Sequence, residues 1–177
     1  MKIVYVIDSL ASKGGAERII SEKMNYLAKQ FHYDVSVITC YQDPDTMPNV
    51  YYLSNLVKQI NLNIPYYSQY KYKYPYRLWV KYSLHRKLRK QLKTTIQNMN
   101  PDILIGLGYF MGDFISNIKC KASKVIESHE ARIFTMSDYG LSRFWFSKIY
   151  MQLYRKAYFK TIEKKSRYNC NTNSWRC

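Results

Sequence analysis

The sequence predicts an α/β domain, a parallel sheet with helices packed on both of its faces, and three observations predict it. Short unbroken apolar runs rich in β-branched residues, at 3–7 (IVYVI) and 35–40 (VSVITC), suit strands buried on both faces. Between such runs lie segments whose apolar residues recur at spacings of three and four, one face of a helix. Strand and helix then alternate along the chain, the pattern of parallel strands joined by crossover helices.

The first strand, 3–7, closes on Asp8-Ser9 and enters a polar loop that ends in Gly14-Gly15. Ile20, Met24, Leu27 and Phe31 then mark one face of the first helix. Two adjacent glycines lack two Cβ atoms, so the backbone can take positive φ or a ligand can come close. Exposed N–H groups at the helix start favour a phosphate or carboxylate. The loop is neither the GxGxxG dinucleotide fingerprint nor a P-loop, since no Lys-Ser or Lys-Thr follows the glycines. A tight turn needing positive φ is the competing reading of the pair.

After the second strand, the prolines and aspartates of 41–49 mark a loop, and 50–53 reads as a third, shorter strand. Residues 54–76 carry Pro65, Pro75 and the run YYSQYKYKYPY without a readable period; so long an irregular stretch in a compact domain points to a function of its own. A helix is expected over about 77–98. Val80, Leu84, Leu88, Leu92 and Ile96 form its apolar stripe, and Arg77, Lys81, His85, Arg89 and Lys93 a basic one. A strand at 103–105 enters the loop Gly106-Leu-Gly108, a short helix covers 111–118, and a strand at 124–127 ends in Ser128-His129-Glu130. In a parallel sheet ligands bind beyond the carboxyl ends of the strands, which brings the loops 8–15, 106–112 and 128–132 to one edge. A broadly apolar helix is expected over 141–160, completing a domain of residues 1–160; 161–177 reads as an irregular basic tail.

At 177 residues and 47% hydrophobic content, the chain is long and apolar enough for one domain with its own core. Cys40, Cys120, Cys170 and Cys177 form no CxxC pair and no zinc spacing; with no secretory leader they read as reduced thiols of a cytoplasmic protein. No run approaches the roughly 20 apolar residues of a membrane span. The net charge is +16, and it is unevenly spread: residues 46–101 hold ten basic side chains and no acid, and 143–177 hold nine against Glu163 alone. Such blocks imply an anionic partner.

The strand that starts at residue 3, the aspartate after it and GGAER (14–18) opening a helix resemble the start of family 4 glycosyltransferases. NPDILIGLG (100–108) resembles that family's Pro-Asp, apolar strand and small-residue loop. KVIESHE (124–130) resembles the strand whose end carries a cleft-facing histidine, and LYRKA (153–157) the helix before the strand leading to the second domain. The resemblance covers residues 1 to about 157 in order. It implies the N-terminal, acceptor-side half of a GT-B enzyme, a single Rossmann-like unit, using a nucleotide-sugar substrate without a metal cofactor to build surface polysaccharide or glycolipid. Gly14 and Gly15 would line the diphosphate or acceptor loop, and His129 would touch the donor sugar. After LYRKA the text departs from the family pattern into polar, basic sequence, and the family's donor-binding half with its spaced pair of glutamates is not in these residues. The expectation is a half truncated or frame-shifted after about residue 157, inactive alone unless a separate donor-domain chain supplies the rest.

Without the resemblance, His129 would read as a capped or surface histidine, Asp8 as a residue shaping its loop, and Glu127 with Glu130 as a weak paired-carboxylate signal. No His/Cys/Asp cluster has metal-ligand spacing, so no metal is expected. The basic, tyrosine-rich segment 58–93 has three readings: a solvated face, a nucleic-acid surface, or a surface for an anionic membrane. No nucleic-acid motif accompanies it, so no specific nucleic acid is expected. The family's frequent lipid-linked acceptors favour a peripheral location on the inner face of the cell membrane, with Lys81, Arg86, Arg89 and Lys90 meeting the lipid charge. The alternative is a non-catalytic Rossmann-like module that binds anionic membrane or polymer through the same basic surface.

Overall fold

The computed structural model describes residues 1–43 and 45–129. Five strands, β1 (Lys2–Ile7), β2 (Asp34–Thr39), β3 (Lys58–Asn61), β4 (Ile103–Leu107) and β5 (Ser123–Glu127), form one sheet in the order β3-β2-β1-β4-β5. Every pairing is parallel, with Val4 opposite Ser36 on one side and Leu104 on the other. The α/β class and the Rossmann-like parallel sheet are therefore observed as expected.

Three helices cover the sheet: α1 (Gly15–Gln30), α2 (Tyr76–Met99) and α3 (Gly108–Ser116). The alternation of a strand decides which face each side chain serves. Ile3, Tyr5 and Ile7 of β1 join Val35, Val37 and the α1 residues Ile20, Met24 and Ala28 in one core. Val4 and Val6 join Leu88, Leu92 and Ile96 of α2 and Met111, Phe114 and Ile115 of α3 in the other. Among the described residues helices thus lie on both faces, α1 on one and α2 with α3 on the second.

Several boundaries differ from the sequence reading. The third strand is Lys58–Asn61 rather than 50–53, because its pairing with β2 needs only backbone groups and a half-buried face, which the sequence KQIN meets without an apolar run. β4 runs on through Gly106 to Leu107 and α3 starts at once. A Cβ on Gly106 would stand 2.7 Å from Ile115, and one on Gly112 would stand 2.9 Å from Ile126, so these glycines let α3 lie close on β4 and β5. Within 54–76 the chain makes a 3-10 helix, Tyr66–Lys71, whose Tyr66 ring packs 5.0 Å from Phe110. The helix expected over 141–160, Glu130 and the tail 161–177 lie outside the described residues.

Candidate functional site

The sheet order reverses beside β1: β2 follows β1 on one side and β4 on the other, which opens a crevice beyond the carboxyl ends of β1 and β4. Three segments lie at that edge because β1, β4 and β5 are consecutive in the sheet and run the same way. They are the loop 8–14, the start of α3 at Gly108, and Ser128-His129 after β5.

Loop 8–14 has a defined shape. The buried Gln42 accepts a hydrogen bond from the Leu10 N–H at 2.8 Å, and its own Nε2 donates to the Met47 carbonyl at 3.1 Å. Cys40 N–H and Tyr41 N–H donate to the Asp8 carbonyl at 3.0 and 3.1 Å. It is the main chain of Asp8, not its carboxylate, that ties the loop to β2.

The Asp8 carboxylate is reached instead by the Tyr67 hydroxyl, while its Oδ1 is buried without a hydrogen-bond partner among the described residues. Burial raises the Asp8 pKa above its ordinary value; the Tyr67 bond pulls it down and the charge of Glu17 pushes it up. Nothing local in the sequence marks this contact, since Tyr67 comes from the aromatic segment whose period could not be read.

The glycine pair differs from expectation. Gly14 caps α1 at φ −85° and Gly15 is its first helical residue. Among the described glycines, only Gly108 has positive φ, +71°. The pair is therefore not a positive-φ turn. Around Gly15 there is open space, with nothing within 4 Å of where a Cβ would stand. The Glu17 carboxylate folds back over Gly14 and accepts from the Ser12 hydroxyl at 2.5 Å. An acidic side chain in the first turn already complements the dipole of α1, so an incoming anion would have to move Glu17 aside.

At the third loop, His129 Nε2 lies 2.8 Å from Glu127 Oε1, and Lys23 Nζ of α1 lies 2.6 Å from the same oxygen. A carboxylate only accepts hydrogen bonds, so the contact sets the proton on Nε2 and leaves Nδ1 facing away from Glu127. Glu127 acts as the clamp of the histidine, occupied by a lysine, which does not suit half of a hydrolytic carboxylate pair. Lys23 is the residue that sequence reasoning missed: its partner is 104 positions away, and no helical period signals it.

The four cations expected on the anionic surface, Lys81, Arg86, Arg89 and Lys90, are all exposed on α2, and no described carboxylate pairs with them. His85 leaves the basic stripe: its ring packs 4.6 Å from Phe114, and burial first, with Arg89 and Lys81 behind it, lowers its pKa. The N-terminal half of α2 bears exposed Leu78, Trp79 and Tyr82, preceded by exposed Tyr72, Tyr74 and Tyr76. Among the described residues no helix is long and apolar enough to cross a membrane, and no three His, Cys, Asp or Glu gather as metal ligands.

No protein-family model matches the chain, and no curated protein matches it.

Proposed function

We propose that this chain is the acceptor-side half of a retaining, metal-independent GT-B glycosyltransferase that takes a nucleotide sugar, completed by a second Rossmann-like half that binds the nucleotide. The observation that carries the reading is that the loop before Gly15 and His129 both lie at the carboxyl edge of a β3-β2-β1-β4-β5 parallel sheet, with Lys23 of α1 and His129 on the same Glu127 carboxylate. Open space at Gly15 lets an acceptor or diphosphate approach backbone. The histidine held by Glu127 offers its second nitrogen to a hydroxyl of the donor sugar.

The test pairs this chain with a donor-binding half and measures sugar transfer. His129→Ala and Gly15→Val should each cut turnover by orders of magnitude with little change in thermal stability, and the 177-residue chain by itself should turn over no nucleotide sugar. Unchanged turnover in both variants, or transfer by the chain alone, overturns the reading.

A second reading, of a module that sits on an anionic membrane at the cytoplasmic face, is favoured by one observation: Trp79 and Tyr82, 65% and 66% exposed, lie on the same helix as four exposed cations that pair with no described carboxylate. Aromatic rings suit headgroup depth and basic side chains suit the lipid charge. Co-sedimentation with anionic but not neutral vesicles supports it. Equal binding to neutral vesicles, or tighter binding to single-stranded DNA, overturns it.

A further inference from the structure

A cavity of about 550 Å³ lies away from the crevice, between the end of the edge strand β3 and the flank of α2. That volume is within the range of roughly 300–1,000 Å³ typical of small-molecule sites. Lys87, Lys90, Gln91, Thr94 and Thr95 line it from the helix, and Asn61 and the apolar Leu62 from the strand end. On α2 these side chains recur at three- and four-residue spacing, so they share one flank.

The chemistry of the lining is one-sided. It contains two ammonium groups and no carboxylate, and neither lysine has an ion-pair partner among the described residues. Asn61 Oδ1 already accepts from the Thr39 hydroxyl and from Gln59 Nε2, the latter at 3.1 Å. Its amide oxygen is therefore occupied on the β-sheet side, which leaves the Nδ2 donors for the cavity. Thr94 donates its hydroxyl proton to the Lys90 carbonyl at 3.1 Å, whereas among the described residues the hydroxyl of Thr95 and the amide of Gln91 have no side-chain hydrogen bond. Two cations and several hydrogen-bond donors converging on an acid-free hollow match the oxygens of a phosphate group.

We propose that the hollow between Asn61 and the Lys87–Thr95 flank of α2 is a phosphate-binding site, distinct from the crevice at β1 and β4. Two sources present that chemistry. One is a free phosphorylated small molecule. The other is a phosphomonoester lipid headgroup, which the geometry permits because the exposed Trp79, eleven residues before Lys90, lies within about 20° of it around the axis of α2.

The experiment titrates the intact chain with inorganic pyrophosphate and follows its backbone amide resonances. Saturable shifts centred on Asn61, Lys87, Gln91 and Thr95 are expected. Lys87→Gln with Lys90→Gln should weaken binding about tenfold or more, each lost charged contact being of that order. The control removes the same charge from the neighbouring flank, Arg86→Gln with Arg89→Gln, and should leave pyrophosphate affinity within about twofold. A second arm uses phosphatidylcholine vesicles with and without phosphatidic acid. Vesicle binding that pyrophosphate displaces assigns the lipid headgroup as a source, and pyrophosphate saturation without displaceable vesicle binding assigns the free phosphate. Unsaturable shifts, or equal losses in the two double variants, mean diffuse attraction to a basic surface and overturn the proposal.

Discussion

The crevice at the carboxyl edge and the outer face of α2 treat charge in opposite ways. At the crevice, charged groups find partners inside the molecule: Lys23 and His129 converge on Glu127, Ser12 holds Glu17, and Tyr67 reaches the Asp8 carboxylate, of which only Oδ1 has no partner among the described residues. On α2, Lys81, Arg86, Lys87, Arg89 and Lys90 face outward with no described carboxylate in reach. Matched groups fix the position of particular side chains, which is what a site needs in order to orient a substrate. Unmatched cations fix nothing within the fold and leave their attraction for a partner. The two regions therefore fail in different ways when altered.

The largest expected effect is on the unmatched face. Replacing Lys81, Arg86, Arg89 and Lys90 by Gln should weaken binding to anionic vesicles by about two to three orders of magnitude, at roughly 1 kcal/mol per basic side chain near the leaflet. Raising the salt should weaken the unaltered chain in the same direction, since exposed charges are screened beyond about 8–10 Å. Binding that ignores both changes would mean that α2 is a solvated face like any other.

Within α2 the contrast sharpens along a single helix. Leu92 is fully buried, so Leu92→Ala should cost about 2–5 kcal/mol in urea unfolding. Trp79→Ala removes a larger side chain that is 65% exposed and should change stability by about 0.5 kcal/mol or less while reducing vesicle binding. Comparable destabilisation by the two would show that the aromatic half is packed rather than presented.

At the crevice, pH separates the cost of a buried carboxylate from its contacts. Burial raises the folded pKa of Asp8 above its ordinary 3.8, so the fold holds this proton more tightly than the unfolded chain does. Its contribution to stability is full below pH 3.8 and is lost as the pH rises through the raised value. Asp8→Asn should therefore gain on the unaltered chain as the pH climbs out of the carboxylate range, with the two closest at the acid end. Parallel urea midpoints across the series would mean that Asp8 titrates alike in both states.

The smallest effect concerns the glycine pair. Gly15 has helical backbone and open space around it, so Gly15→Ala should shift stability by less than about 1 kcal/mol, in the stabilising direction. A larger loss would mean that the backbone there requires glycine after all.

How much was legible follows from which signals are local. The unbroken apolar runs at 3–7 and 35–40 and the four-residue period through Leu88, Leu92 and Ile96 are local signals, and each became the element it pointed to. The segment KQIN carries no such period, so β3 was invisible until β2 offered it an edge. His129 could be singled out at a strand end, but Lys23, which shares the Glu127 carboxylate with it, could not, since Lys23 and Glu127 meet only when α1 packs across the sheet.

By itself, then, the sequence determined the α/β class, the two-faced core and the uneven charge, because apolar period and composition are properties of neighbours along the chain. Only the tertiary structure decided that Glu127 clamps His129 together with Lys23, that Gly15 opens α1 with open space around it instead of a positive-φ turn, and that Asn61 joins Lys87 and Lys90 around one hollow. Each of these depends on distances between segments remote in sequence, which the strand order β3-β2-β1-β4-β5 sets and no local pattern encodes.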